Sequence, residues 1–278
     1  MRVLALSPGT LQQQLERLPA VAAAAEQLQA TLQVACPVAH RQAWELLPSV
    51  EKVIPFEFSD GCTMADWANL LGCVREPDFQ VCFNFASGRQ VNLMLGMSHI
   101  PTRIAQDGFS TTHQVQPGSG WSAQTFAPYL QAIGLQLDAE AFRLALPAKE
   151  LEAARADQPA GNGPLLLMAP SEQPNDWPAH QWLGLPTTIR ERLASLRTQQ
   201  LPSGGKLKKR AAQVACSDVV LSSCPVTQLL AIYAGVPLVA LGTVASNLPQ
   251  REGLRSLGDA ASGLRQLSDQ DVLTALGF

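Results

Sequence analysis

No window of the 278-residue chain approaches the roughly 20 uninterrupted apolar residues that a bilayer-spanning helix needs. The apolar stretch in MRVLALSPGT meets Pro8 and Gly9 before it reaches the length of a signal-peptide core. Both absences lead to the expectation of a cytosolic protein with no transmembrane segment. Paired cysteine motifs are missing as well: Cys36, Cys62, Cys73, Cys82, Cys216 and Cys224 form no C-x-x-C, and most lie in apolar runs where the residue behaves as a small hydrophobe. They read as reduced structural thiols. The four histidines, His40, His99, His113 and His180, have neither H-x-x-x-H nor carboxylate spacing, so no metal and no cofactor is expected. Without a G-x-S-x-G elbow or a Walker-type loop, the corresponding hydrolase and P-loop classes drop out. Charged residues make up only 15% of the chain and the formal charge is −3, which leaves no basic field to hold nucleic acid.

What the chain does have is an apolar fraction of 46%, enough side chains for two cores. Short apolar runs alternate with helical spacing, the pattern of parallel sheets covered by helices. Arg2–Leu6 and its neighbour Ser7 read as a strand, followed by a Pro-Gly turn and helical spacing at Leu11, Leu15, Leu18, Val21, Ala22 and Ala25. Further strands are expected at 32–36, 52–56, 79–83 and 102–104, with helices at 39–47, 64–74, 90–97 and 122–133. The small, polar run ARADQPAGNG then reads as a linker. Beyond it, strands are expected at 164–169, 218–222 and 237–241, with helices opening at 177–182 and lying at 187–198, 227–234 and the tail 267–278. The expectation is therefore an α/β chain of two Rossmann-like doubly wound domains: 1–152, a linker at 153–163, and a shorter 164–278.

Four segments in this order carry a family resemblance. MRVLALSPGTLQQQLERLPAV gives a strand, a turn and a helix ending in Leu-Pro-Ala. Pro77–Asn84 is followed by Arg103-Ile-Ala-Gln-Asp-Gly108-Phe109. LLLMAPSEQPNDWPAHQW holds a strand, a Pro-containing turn and Trp177-Pro178. The fourth, ACSDVVLSSCPVTQLLAIYAGVPLVALG, ends in Gly235-Val236-Pro237. Together they resemble the ADP-heptose:lipopolysaccharide heptosyltransferases of the GT-B type. The resemblance implies two domains facing across a cleft, and inverting, metal-independent transfer of a heptose or similar sugar from a nucleotide-sugar to a glycan or lipopolysaccharide-type, lipid-linked acceptor.

At the family's chemical positions the residues differ. The resemblance puts Gln13 at the place of the general base, and an amide cannot accept a proton at neutral pH; Gln13 is either a retained sugar contact or a solvent-facing helix residue. Glu16, one turn on, is the substitute carboxylate or an ordinary surface residue. Asn175 replaces a phosphate-facing Lys, and Cys224–Leu229 replaces a Gly- and His-containing loop that cradles pyrophosphate. Hydroxyls survive: Thr10, Ser171, Ser223 and Thr227 are the candidate nucleotide contacts, with a helix N-terminus that either binds an anion or is simply capped. Lys206, Lys208, Lys209 and Arg210 form a solvated face or a contact for an anionic surface at the inner membrane face. Two functions follow: a nucleotide-sugar-dependent glycosyltransferase, or a catalytically inactive pseudoenzyme kept as a binding or scaffold protein.

Overall fold

Apolar residues at every position but the first bury β1 (Arg2–Leu6) on both faces, as in a strand covered by helices on each side. The computed structural model describes residues 1–171, 173–202, 204–259 and 263–278, in two compact units, Met1–Phe142 and Arg143–Phe278. The first unit continues with α1 (Leu11–Leu28), β2 (Thr31–Cys36), a 3₁₀ run at Val38–Leu46, β3 (Val50–Pro55), α2 (Met64–Arg75) and β4 (Val81–Asn84). It ends with α3 (Arg89–Met97), β5 (Thr102–Ala105), β6 (His113–Gln114), a 3₁₀ turn at Gln124–Phe126 and α4 (Ala127–Gln131). All its strand pairs are parallel, in the order β3-β2-β1-β4-β5-β6. That is the doubly wound order, in which the winding direction reverses between β1 and β4.

The second unit comprises α5 (Ala148–Ala156), β7 (Leu165–Ala169), α6 (Ala179–Arg192), β8 (Arg197–Gln200), α7 (Leu207–Ala215) and β9 (Val219–Ser222). It closes with α8 (Pro225–Ala234), β10 (Leu238–Leu241), β11 (Leu254–Leu257) and α9 (Asp269–Leu276). Its parallel sheet runs β11-β10-β9-β7-β8, so the reversal falls between β7 and β9. The architecture is thus α/β, with one doubly wound sheet in each unit. Gly235 ends α8 in the left-handed conformation (φ 76°), which explains a glycine before Val236-Pro237.

Several elements differ from the sequence reading. The helix expected at 39–47 is 3₁₀, and the one expected at 122–133 breaks into a 3₁₀ turn and the short α4, with Pro128 in its first turn. The helix expected at 187–198 is instead the end of α6 followed by β8, and Pro186 lies inside α6. β8 carries only Arg-Thr-Gln-Gln because it is an edge strand, with no need of an apolar run. β6 and β11 also escaped that reading.

The run at 153–163 does two things in the fold. Ala153–Ala156 complete α5, and the residues after it are fastened by Arg197, whose Nε donates to Gly163 O at 2.7 Å and whose Nη1 donates to Gln158 Oε1 at 3.1 Å. Its glycines allow close approach: a Cβ on Gly163 would lie 1.9 Å from the Ser195 carbonyl oxygen. Gly163→Ala is therefore expected to destabilise the second unit by about 2 kcal/mol through overpacking against backbone, measured by urea denaturation followed through tryptophan fluorescence.

Candidate functional site

Loops diverge where strand order reverses, and ligands of open α/β sheets bind in the resulting crevice at the carboxyl ends of the strands. In the second unit that place is the end of β7 and β9, paired through Ala169 and Ser222. The Ser171 N–H donates to Ser223 Oγ at 2.9 Å and to Asp176 Oδ2 at 2.8 Å, so the two candidate serines meet directly. Thr227, in the first turn of α8, is fully buried, and its hydroxyl has no partner in the protein. No side chain caps α8, and Pro225 occupies its first turn, where a missing N–H costs nothing.

Two residues that the sequence reading passed over organise this end. The Gln228 carboxamide donates to Ser222 O at 2.8 Å and Leu241 O at 3.1 Å, and accepts from Thr243 Oγ1 at 2.6 Å, tying β9 to β10. Asp176 accepts from Ser171 N, Ser171 Oγ and the Trp177 N–H, which shapes the loop after β7. Beside this loop lies a cavity of about 580 Å³, lined in part by Pro170, Asp176, Trp182, Leu183, Gln200 and Arg265. Its size suits a small-molecule ligand. Asn175, in the place of the phosphate-facing cation, is exposed and accepts from Leu264 N through its backbone carbonyl.

Thr10, Gln13 and Glu16 stand in the first unit. Thr10 is the N-cap of α1: its hydroxyl accepts from Gln13 N at 3.4 Å, and Gln13 Oε1 accepts from Thr10 N at 2.9 Å. This is a capping box, so the side chain at the base position holds the helix start. Glu16 accepts from Gln12 Nε2 at 2.9 Å. The buried polar residues here are instead Gln14 and Arg17. Gln14 accepts from Ser7 Oγ (2.6 Å) and Trp44 Nε1 (2.9 Å), and donates to the carbonyls of Ser7, Pro8 and Gly9. Their signal in the sequence is two polar residues at i and i+3 on the stripe of Leu18 and Val21.

The basic cluster is partly consumed within its own unit. Lys209 pairs with Asp157 at 2.8 Å, and Lys208 and Arg210 are half-buried. Among the described residues, no group of three or more His, Cys, Asp or Glu could hold a metal, and no helix is long and apolar enough to cross a membrane. All six cysteines are free; burial pushes the Cys36 thiol up to about 12, with Glu57 adding to the shift.

Fold and strand-end geometry define a two-unit α/β protein with one doubly wound parallel sheet in each unit. No protein-family profile matches the sequence, and no curated protein matches it at the sequence level. Solved structures do match. The glycosyltransferase family 9 protein from Veillonella parvula DSM 2008 aligns at TM-score 0.76 and 13% identity, over 99% of this chain and 95% of that one. The E. coli ADP-heptose lps heptosyltransferase II aligns at 0.73 and 15%, over 99% and 97%. E. coli heptosyltransferase WaaC with ADP-2-deoxy-2-fluoro heptose aligns at 0.72 and 14%, over 99% of each chain. At these identities the likeness is one of fold.

The two adjacent glutamines separate experimentally. Gln13→Ala removes only the capping bond, an expected loss of about 0.5–1 kcal/mol. Gln14→Leu strips Trp44 Nε1 and Ser7 of a buried acceptor and is expected to cost about 3 kcal/mol. Chemical denaturation of both variants checks the order.

Proposed function

We propose that the protein binds a nucleotide-sugar at the β7–β9 reversal of its second unit, as a heptosyltransferase-like member of the glycosyltransferases whose natural partner is a glycan or lipid-linked acceptor. One observation carries this reading. Ser171 and Ser223 meet at the switch point, the loop that holds Ser171 lines a cavity through Pro170 and Asp176, and the first turn of the helix after β9 carries the buried, unpartnered hydroxyl of Thr227. Hydroxyl and N–H donors at a helix start suit a diphosphate, and the cavity suits a nucleoside. The fold relative WaaC has been solved with ADP, which supports the same ligand class.

A second reading, that the chain binds without catalysing transfer, is favoured by the capping box. Inverting transfer needs a base to take the acceptor proton, and Gln13 is an amide engaged with Thr10 N. Glu16 is the carboxylate one turn away, held by Gln12.

Nucleotide binding is checked by thermal shift with ADP, UDP and their sugars at millimolar concentration. Wild type is expected to be stabilised, and Thr227→Val to weaken the binding about five- to tenfold through loss of one hydrogen bond. No stabilisation by any of these ligands would overturn the proposal. Transfer is followed separately with a labelled donor; sugar transfer that disappears in Gln13→Ala or Glu16→Ala would defeat the non-catalytic reading.

A further inference from the structure

The loop that carries the chain from α5 into β7 is fastened at both ends and free between them. At one end Gln158 Nε2 donates to Cys216 O at 2.7 Å and Gln158 Oε1 accepts from Arg197 Nη1. At the other, Gly163 O accepts from Arg197 Nε and Pro164 O accepts from Arg197 N at 2.9 Å. Ala160, Gly161 and Asn162 lie exposed between these anchors, as the tip of a loop does. Neither the Asn162 carboxamide nor the Gly163 N–H has a hydrogen-bond partner among the described residues.

Of the six asparagines in the chain, Asn162 alone precedes a glycine, and a second glycine precedes it. Packing fixes the glycine at 163: a Cβ there would lie 1.9 Å from the Ser195 carbonyl oxygen and 2.8 Å from Ser195 Cβ. Gly161, at φ 129°, holds a backbone conformation that favours glycine. The contact that demands glycine at 163 thus removes the one side chain that would keep the Asn162 carboxamide away from the next backbone nitrogen. An exposed, unbonded asparagine in this setting is the thermolabile kind.

We propose that Asn162 is a self-modification site, where asparagine is converted to aspartate and isoaspartate with water as the sole co-reactant. The Gly163 nitrogen gives up its proton to solvent base and attacks Asn162 Cγ. The new N–Cγ bond closes a five-membered succinimide, and the carboxamide nitrogen takes up a proton and leaves as ammonia. Water then opens the ring. Breaking the new N–Cγ bond leaves aspartate; breaking the original peptide bond leaves isoaspartate, whose backbone runs through Cβ and Cγ and is one methylene longer. That extra atom lies directly before Gly163, which has no space toward Ser195. Two residues on, β7 begins at Leu165, whose N–H is held by Asp218 Oδ2 at 2.7 Å. The added methylene therefore pushes Gly163 off Arg197 and weakens the second unit.

The test incubates the full chain, without ligand, at mildly alkaline pH over several weeks, folded and in urea. Peptide mass mapping follows the exchange of NH2 for OH, and a protein isoaspartate methyltransferase with labelled S-adenosylmethionine marks isoaspartate. Asp60 and Asp107 also precede glycines but isomerise without change of mass, so mass gain and label must coincide in the peptide holding Asn162. The folded chain is expected to react there within tenfold of the unfolded rate. Asn162→Gln, which must close a larger ring, is expected to slow the reaction at least tenfold, and aged wild type to unfold at lower urea than the variant aged alongside it. The proposal is overturned if folding slows the reaction more than tenfold, if the mass gain falls on another asparagine, or if the two aged proteins unfold together.

Discussion

A parallel sheet whose winding reverses must send two neighbouring strands to helices on opposite faces. Between β1 and β4, and again between β7 and β9, the chain leaves the carboxyl ends in diverging directions, and backbone groups there have no further strand to pair with. Many of the polar residues that the fold buries collect at these two places. Ser7 and Asn84 are at 0% and 1% exposure and Ser222 and Ser223 at 0% and 8%, while the strand interiors below them are apolar. The constraint is topological, so it acts identically on two stretches that share no repeated sequence.

Both units meet that constraint with a glutamine on a helix following one of the two strands. Gln14 donates to the carbonyls just past β1 and accepts from Ser7 and Trp44. Gln228 donates to the last carbonyls of β9 and β10 and accepts from Thr243. A carboxamide suits this role because one end donates twice and the other accepts twice, without a charge to desolvate. With the glutamines saturated, the groups left over acquire meaning. Arg17 Nε, Asn84 Nδ2 and Thr227 Oγ1 are buried and unpaired, against the strong tendency of buried polar groups to be satisfied.

The framework was legible in the sequence because core strands and their helices obey strong local rules. Buried parallel strands such as Leu165–Ala169 must be continuous apolar runs, and α1 announces itself through helical spacing at Leu11, Leu15 and Leu18. Elements whose residues answer to tertiary partners were not legible. β8 is polar because it lies at an edge, and Gly163 is fixed by contact with Ser195, more than thirty positions on. The candidate site was legible only in part. The meeting of Ser171 and Ser223 depends on strand order, which no local pattern encodes. Arg17 reads as a solvent-facing charge until the burial of its helix face is known.

At the second reversal the groups left over are of one kind. Asp176 is fully engaged in the loop after β7, and the donors that remain around α8 are hydroxyl and N–H groups. Neutral donors of this kind hold a diphosphate in the ground state about as well as they hold it when a bond to it breaks. Rate enhancement needs interactions that strengthen as charge develops, of the kind a nearby cation provides. A helix start supplies part of that through its dipole, the equivalent of about half a charge. The cation on the wall of the adjoining cavity is Arg265. In the first unit the Gln13 amide holds the start of α1, and an amide cannot deprotonate a hydroxyl.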